Sequence, residues 1–87
     1  MPILLVEGNA GGSEVTIYAE DTAIDLEAYF KSLNIPVKSD PSCVYSYTRH
    51  VVEAAPITVL NRLQEINFSV ITSAAGKGNI VWTLTSQ

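Results

Sequence analysis

Residues 56–84 decide the fold: Pro56-Ile57-Thr58-Val59-Leu60-Asn61-Arg62-Leu63-Gln64-Glu65-Ile66-Asn67-Phe68, then Ser69-Val70-Ile71-Thr72-Ser73-Ala74-Ala75, Gly76-Lys77-Gly78-Asn79 and Ile80-Val81-Trp82-Thr83-Leu84. The first segment reads as a helix. Pro56 suits its first turn, where a missing N–H costs nothing. Leu60, Leu63 and Ile66 or Asn67 recur at three- and four-residue steps, so one apolar stripe faces inward. Asn67 tolerates the left-handed conformation that stops a helix. From Phe68 the period changes to two, with Phe68 and Val70 on one face and Ser69 and Ile71 on the other. The 76–79 segment has the turn chemistry of a hairpin. On the return strand Ile80, Trp82 and Leu84 share a face opposite Val81, Thr83 and Thr85, and Trp82 is read as a core residue.

Working back through the chain, residues 43–52 form a β-branched and aromatic strand. Val44, Ser46, Thr48 and His50 lie on one face of it, Tyr45, Tyr47, Arg49 and Val51 on the other. The 36–42 segment is a connector with a short extended piece at Val37 and Lys38. A helix precedes it, capped by Asp21 or Thr22, with Asp25 and Glu27 adding negative charge to its early turns. Leu26, Tyr29, Phe30 and Leu33 face inward. Asn34-Ile35-Pro36 ends the helix, because a residue before Pro avoids the helical region. Residues 14–20 alternate as a half-buried antiparallel strand, Val15, Ile17 and Ala19 inward. That strand pairs with residues 2–7, read as a short strand buried on both faces. Hairpins at both ends predict an α+β fold: a mostly antiparallel sheet of about five to six strands with two helices packed on one face.

The chain is one domain of 87 residues. A domain this small buries little more than about 60% of its unfolded surface, so its margin of stability is slim. Only 16% of residues are charged, against about 25% in an average globular chain. Either neutral polar groups cover the surface or another chain covers part of it. We favour an oligomer, since small domains commonly complete their burial that way. A net charge of −4 with five basic residues disfavours nucleic acid, whose phosphates demand Lys and Arg clusters. It also disfavours an anionic membrane surface. No apolar run nears the roughly 20 residues that span a bilayer. The N-terminal stretch lacks a signal-peptide pattern, and the single cysteine, Cys43, cannot close an intrachain disulfide. A cytoplasmic protein is expected.

Chemistry is sparse. His50 is the only histidine, so one chain holds no histidine-based metal cluster. It is read as a surface or interface side chain rather than a catalytic base. Cys43 is read as a small buried hydrophobe rather than a reactive thiol. The 76–79 segment resembles a phosphate loop only superficially, because a strand rather than a helix follows it. No catalytic residue, metal or cofactor is assigned, and the expectation is a protein that binds rather than reacts.

The 56–84 stretch resembles the C-terminal part of the GTP cyclohydrolase I feedback regulatory protein family. Pro56, Val59, Leu60, Leu63, Phe68, Val70, Val81, Trp82 and Leu84 match it in one register without a gap. Met1-Pro2 with Leu4-Leu5, the Tyr45-x-Tyr47 pair and the chain length fit too. The resemblance implies a non-catalytic homopentamer that binds GTP cyclohydrolase I, two rings clamping the tenfold-symmetric enzyme. It implies a relay of tetrahydrobiopterin inhibition and phenylalanine stimulation. Candidate effector or partner contacts are loop backbones with little side-chain obstruction: Gly8, Asn9, Gly11 and Gly12, and Gly76, Lys77, Gly78 and Asn79. The 8–13 segment reads more readily as a plain hairpin loop. The alternative of another class is an amino-acid-binding module resembling the ACT domains, a dimer with strands paired across the subunit boundary.

Overall fold

A computed structural model describes residues 3–9, 11–20, 25–41, 47–76 and 78–86. Eight elements follow in order: β1 (Ile3–Gly8), β2 (Val15–Glu20), α1 (Leu26–Ser32), β3 (Val37–Pro41), β4 (Tyr47–Val52), α2 (Pro56–Glu65), β5 (Phe68–Ala75) and β6 (Ile80–Ser86). The strands form one sheet ordered β3-β4-β2-β1-β6-β5, every neighbouring pair antiparallel. The α+β architecture expected from the sequence is the one observed.

Register explains the layering. In an antiparallel sheet directly paired residues project to the same face. One row reads Ser39–His50–Ile17–Val6–Trp82–Ser73, and the next reads Thr48–Ala19–Leu4–Leu84–Val70. From these rows Leu4, Val6, Ile17, Ala19, His50 and Leu84 are buried. They form one core with Leu26 and Phe30 of α1 and Val59 and Leu63 of α2, so both helices cover this inner face. The outer face carries Ile3, Leu5, Glu7, Thr16, Tyr18, Arg49, Val51, Val81 and Thr83. No element of the described chain covers it, and Ile3 and Leu5 stay 48% and 41% exposed. The expectation that β1 is buried on both faces is therefore corrected. A two-layer fold covers the central strand on one side only, and a continuous apolar run cannot reveal that.

The helices are set by their ends. Asp25, not Asp21 or Thr22, is the N-cap of α1: its carboxylate accepts the Ala28 N–H at 3.1 Å. The expected caps fall outside the described residues. The helix turns back at Asn34 (φ 61°), and Asn67 (φ 73°) performs the same role after α2. Pro56 opens α2 as expected. Its buried stripe is Pro56, Val59 and Leu63, with Leu60 and Ile66 half-buried beside it. The stripe is thus rotated by one residue from the Leu60-centred one expected. The Tyr29 hydroxyl donates to the Arg62 carbonyl at 2.9 Å and ties the two helices together. Burial and the Glu65 carboxylate raise the Tyr29 pKa, against a smaller lowering by Arg62. The phenol stays protonated, as its donor role requires.

Two strands differ from expectation. The connector at 36–42 contains a full edge strand, β3, paired with β4 from Val37 to Pro41. β5 carries a bulge between Val70 and Thr72. Phe68 is buried, yet the rest of β5 is exposed, including Val70 and Ile71. Trp82 is half-buried against the core rather than fully inside it. Cys43, Val44, Tyr45 and Ser46 lie outside the described residues.

Candidate functional site

Both glycine-bearing hairpin tips come to one end of the sheet. Gly8 pairs with Val15 on one side and with Ile80 on the other. The 9–14 loop and the 76–79 loop therefore leave the sheet side by side. Val52 pairs with Val15, and Val37 pairs with Val52. The 53–55 link into α2 and the start of β3 join the same end.

The tips are built differently. Gly8 is buried, and a Cβ there would lie 2.9 Å from Val15 Cγ1 and 3.3 Å from Pro56 Cγ. Its glycine lets the N-terminus of α2 sit against the sheet, which is a packing role. Asn9 is exposed and organises its own loop: its Oδ1 accepts the Gly11 N–H at 3.2 Å, and its carbonyl accepts the Gly12 N–H at 2.8 Å. A Cβ on Gly11 would meet nothing within 4 Å. In the second tip the Gly76 N–H donates to the Asn79 carbonyl at 2.7 Å. Gly78 takes φ +82°, a conformation that favours glycine, and faces open space. Lys77 lies outside the described residues. Of the eight candidate positions, Asn9, Gly11, Gly76, Gly78 and Asn79 are exposed at this end. Gly12 is half-buried.

A cleft of about 320 Å³ opens at the same end, beside β3. Glu14, Glu53, Lys31 and Lys38 line it together with Pro36, Val37 and Val51. Lys31 Nζ is already 3.0 Å from Glu27 Oε1. The cleft thus offers both charge signs around an apolar floor. Sequence reading missed it, because its lining comes from four separated segments and two of its charges read as ordinary surface residues.

His50 sits elsewhere than expected. It is 9% exposed, and its Nδ1 lies 2.7 Å from the Ser39 hydroxyl on the paired strand. Burial lowers its pKa, opposed by Glu27 and then Asp25 of α1. A neutral ring satisfying a strand-edge serine is a buried structural pair, not a surface side chain. The missed signal was its parity with Val52, the last inward residue of β4. Among the described residues no group of three or more His, Cys, Asp or Glu could hold a metal ion. No helix of the described residues is long and apolar enough to cross a membrane. No protein-family model matches the chain, and no curated protein is significantly similar to it.

Proposed function

We propose that this protein is a non-catalytic regulatory subunit like those of the GTP cyclohydrolase I feedback regulatory family. On this reading it assembles as a ring of five and binds that enzyme. It relays inhibition by tetrahydrobiopterin and stimulation by phenylalanine. The carrying observation is where the resembling residues fall. Val59, Leu63, Phe68 and Leu84 are core residues, and Pro56 is the buried first residue of α2. The resemblance therefore runs through the helix–hairpin unit that supplies two of the six strands, and mostly through its inward residues, Val70 being exposed. The bare outer face and low charge content support a covered surface. A clamp of this kind acts by preferring one state of the enzyme. An effector that strengthens the preference couples its own binding to catalysis.

The test is capture of GTP cyclohydrolase I by the tagged protein, with and without phenylalanine. A complex whose yield rises with phenylalanine is expected. No complex under either condition would sink the reading.

The cleft beside β3 favours a second reading, an ACT-like amino-acid-binding module. Opposite charges around an apolar floor suit the two charged ends and the side chain of an amino acid. Native mass spectrometry separates the two: five copies for the regulator, two for the module.

A further inference from the structure

A closed ring with an odd number of copies must join two unlike patches, because a patch that pairs with itself gives only twofold contacts. The sheet has two unlike patches of one kind, its edges β3 and β5. Five successive antiparallel pairings separate them, so β3 and β5 run in opposite directions. Rotating a second copy about an axis along the strands therefore brings its β3 antiparallel to β5 of the first.

The hydrogen-bond phase also fits. The Glu53 N–H donates to the Pro36 carbonyl at 3.0 Å, and the Gly76 N–H to the Asn79 carbonyl at 2.7 Å. Antiparallel ladders alternate between bonded and non-bonded pairs. From Pro36, Lys38 and Asp40 face β4, while Val37 and Ser39 turn their backbone groups away from the sheet. From Gly76, Ala74 and Thr72 face β6, while Ala75 and Ser73 turn theirs away. Val37 and Ala75 share the row that runs through Gly8, and Ser39 and Ser73 share the row that runs through Val6. The outward groups of the two edges thus belong to the same two pairing rows and to the same face. Pro41, which has no N–H to give, stands at the next outward position of β3 and ends the usable edge there.

Side chains raise no objection. β5 (FSVITSAA) has no charged residue. Across the seam Lys38 would face Ala74, so no like charges meet. An uncharged strand of eight residues with exposed Val70 and Ile71 is the kind of edge that recruits another strand. We propose that Ser73 and Ala75 of one copy pair through their backbones with Ser39 and Val37 of the next, continuing the sheet from subunit to subunit. The inference rests on the reading of the chain as a ring-forming subunit.

Two substitutions each remove one outward N–H of the seam and leave the backbone ladder inside the sheet intact: Ser73→Pro on β5 and Ser39→Pro on β3, with Ser39→Ala as the control for the hydroxyl that meets His50 Nδ1. Native mass spectrometry of the full chain should give five copies for the wild type and one copy for either variant alone. An equal mixture of the two should give a pair containing one of each, since one intact β5 can still meet one intact β3. Circular dichroism checks that the variants are folded. Amide hydrogen exchange on the wild-type assembly, which needs no variant, should show Ser73, Ala75, Val37 and Ser39 protected. A folded variant that keeps five copies, a folded mixture that stays at one copy, or Ser73 and Ala75 amides exchanging at the free-chain rate overturns the seam. A wild-type ring that survives both substitutions removes the seam alone and leaves the ring reading standing. A wild type of one copy removes both.

Discussion

The two faces of β1 differ more than its sequence does. Leu4 and Val6 are fully buried, while Ile3 and Leu5, of the same residue class, are 48% and 41% exposed. The inner pair belongs to one core with residues of α1 and α2, and the outer pair is covered by no described element. Residue type alone did not assign the faces. The number of layers did, and that follows from where the helices dock. Residues of one class are thus buried or exposed according to the side the helices take, and the contrast can be tested from both sides.

The largest effect is expected inside. Phe30 is fully buried and meets Tyr29 edge-on with ring centroids 5.3 Å apart. Phe30→Ala should cost about 3–5 kcal/mol, a large share of the about 5–15 kcal/mol that a small domain holds. Urea titration measures it, and a loss below about 1 kcal/mol would deny that α1 seals the core. Gly8→Val comes next, because its added side chain would meet Val15 and Pro56. Overpacking of this kind costs about 1–3 kcal/mol. An unchanged melting temperature would mean that α2 does not press on the sheet there.

A smaller effect comes from acid. Burial lowers the folded pKa of His50 below its ordinary value of 6.5. Below that value the unfolded chain takes up a proton that the folded chain resists, so stability is lost as pH falls. The loss begins near the ordinary value and levels off below the folded pKa. His50→Gln should flatten the dependence of the melting temperature between neutral pH and that range. A slope that survives the substitution would assign it to another group. The smallest effect is expected outside: Leu5→Ser should change the stability of dilute protein by no more than about 0.5 kcal/mol. If it costs as much as Leu4→Ala, about 2–5 kcal/mol, the outer face is already covered under those conditions.

Much of this fold was legible in local signals. Pro56 and Asn67 bracket α2, the change of period at Phe68 marks β5, and the alternation of Val15, Ile17 and Ala19 gives the inward face of β2. What stayed hidden depended on partners distant in sequence. β3 is short and polar, and only its pairing with β4 makes it a strand. The β5 bulge answers to β6, and periodicity cannot see it. The burial of His50 needs α1 above it. The candidate tips were legible as turns, yet their common location follows only from Gly8 pairing with both Val15 and Ile80. The cleft beside β3 was not legible at all, since its lining is gathered by topology.

The bond from the Tyr29 hydroxyl to the Arg62 carbonyl joins groups 33 positions apart. It fastens the first helix to the closing turn of the second, so neither can fray without loosening the other. Opening of α1 and α2 should thus be one cooperative event rather than two. Whatever ligand steadies either helix would be felt at once by its neighbour, with no movement of the strands beneath.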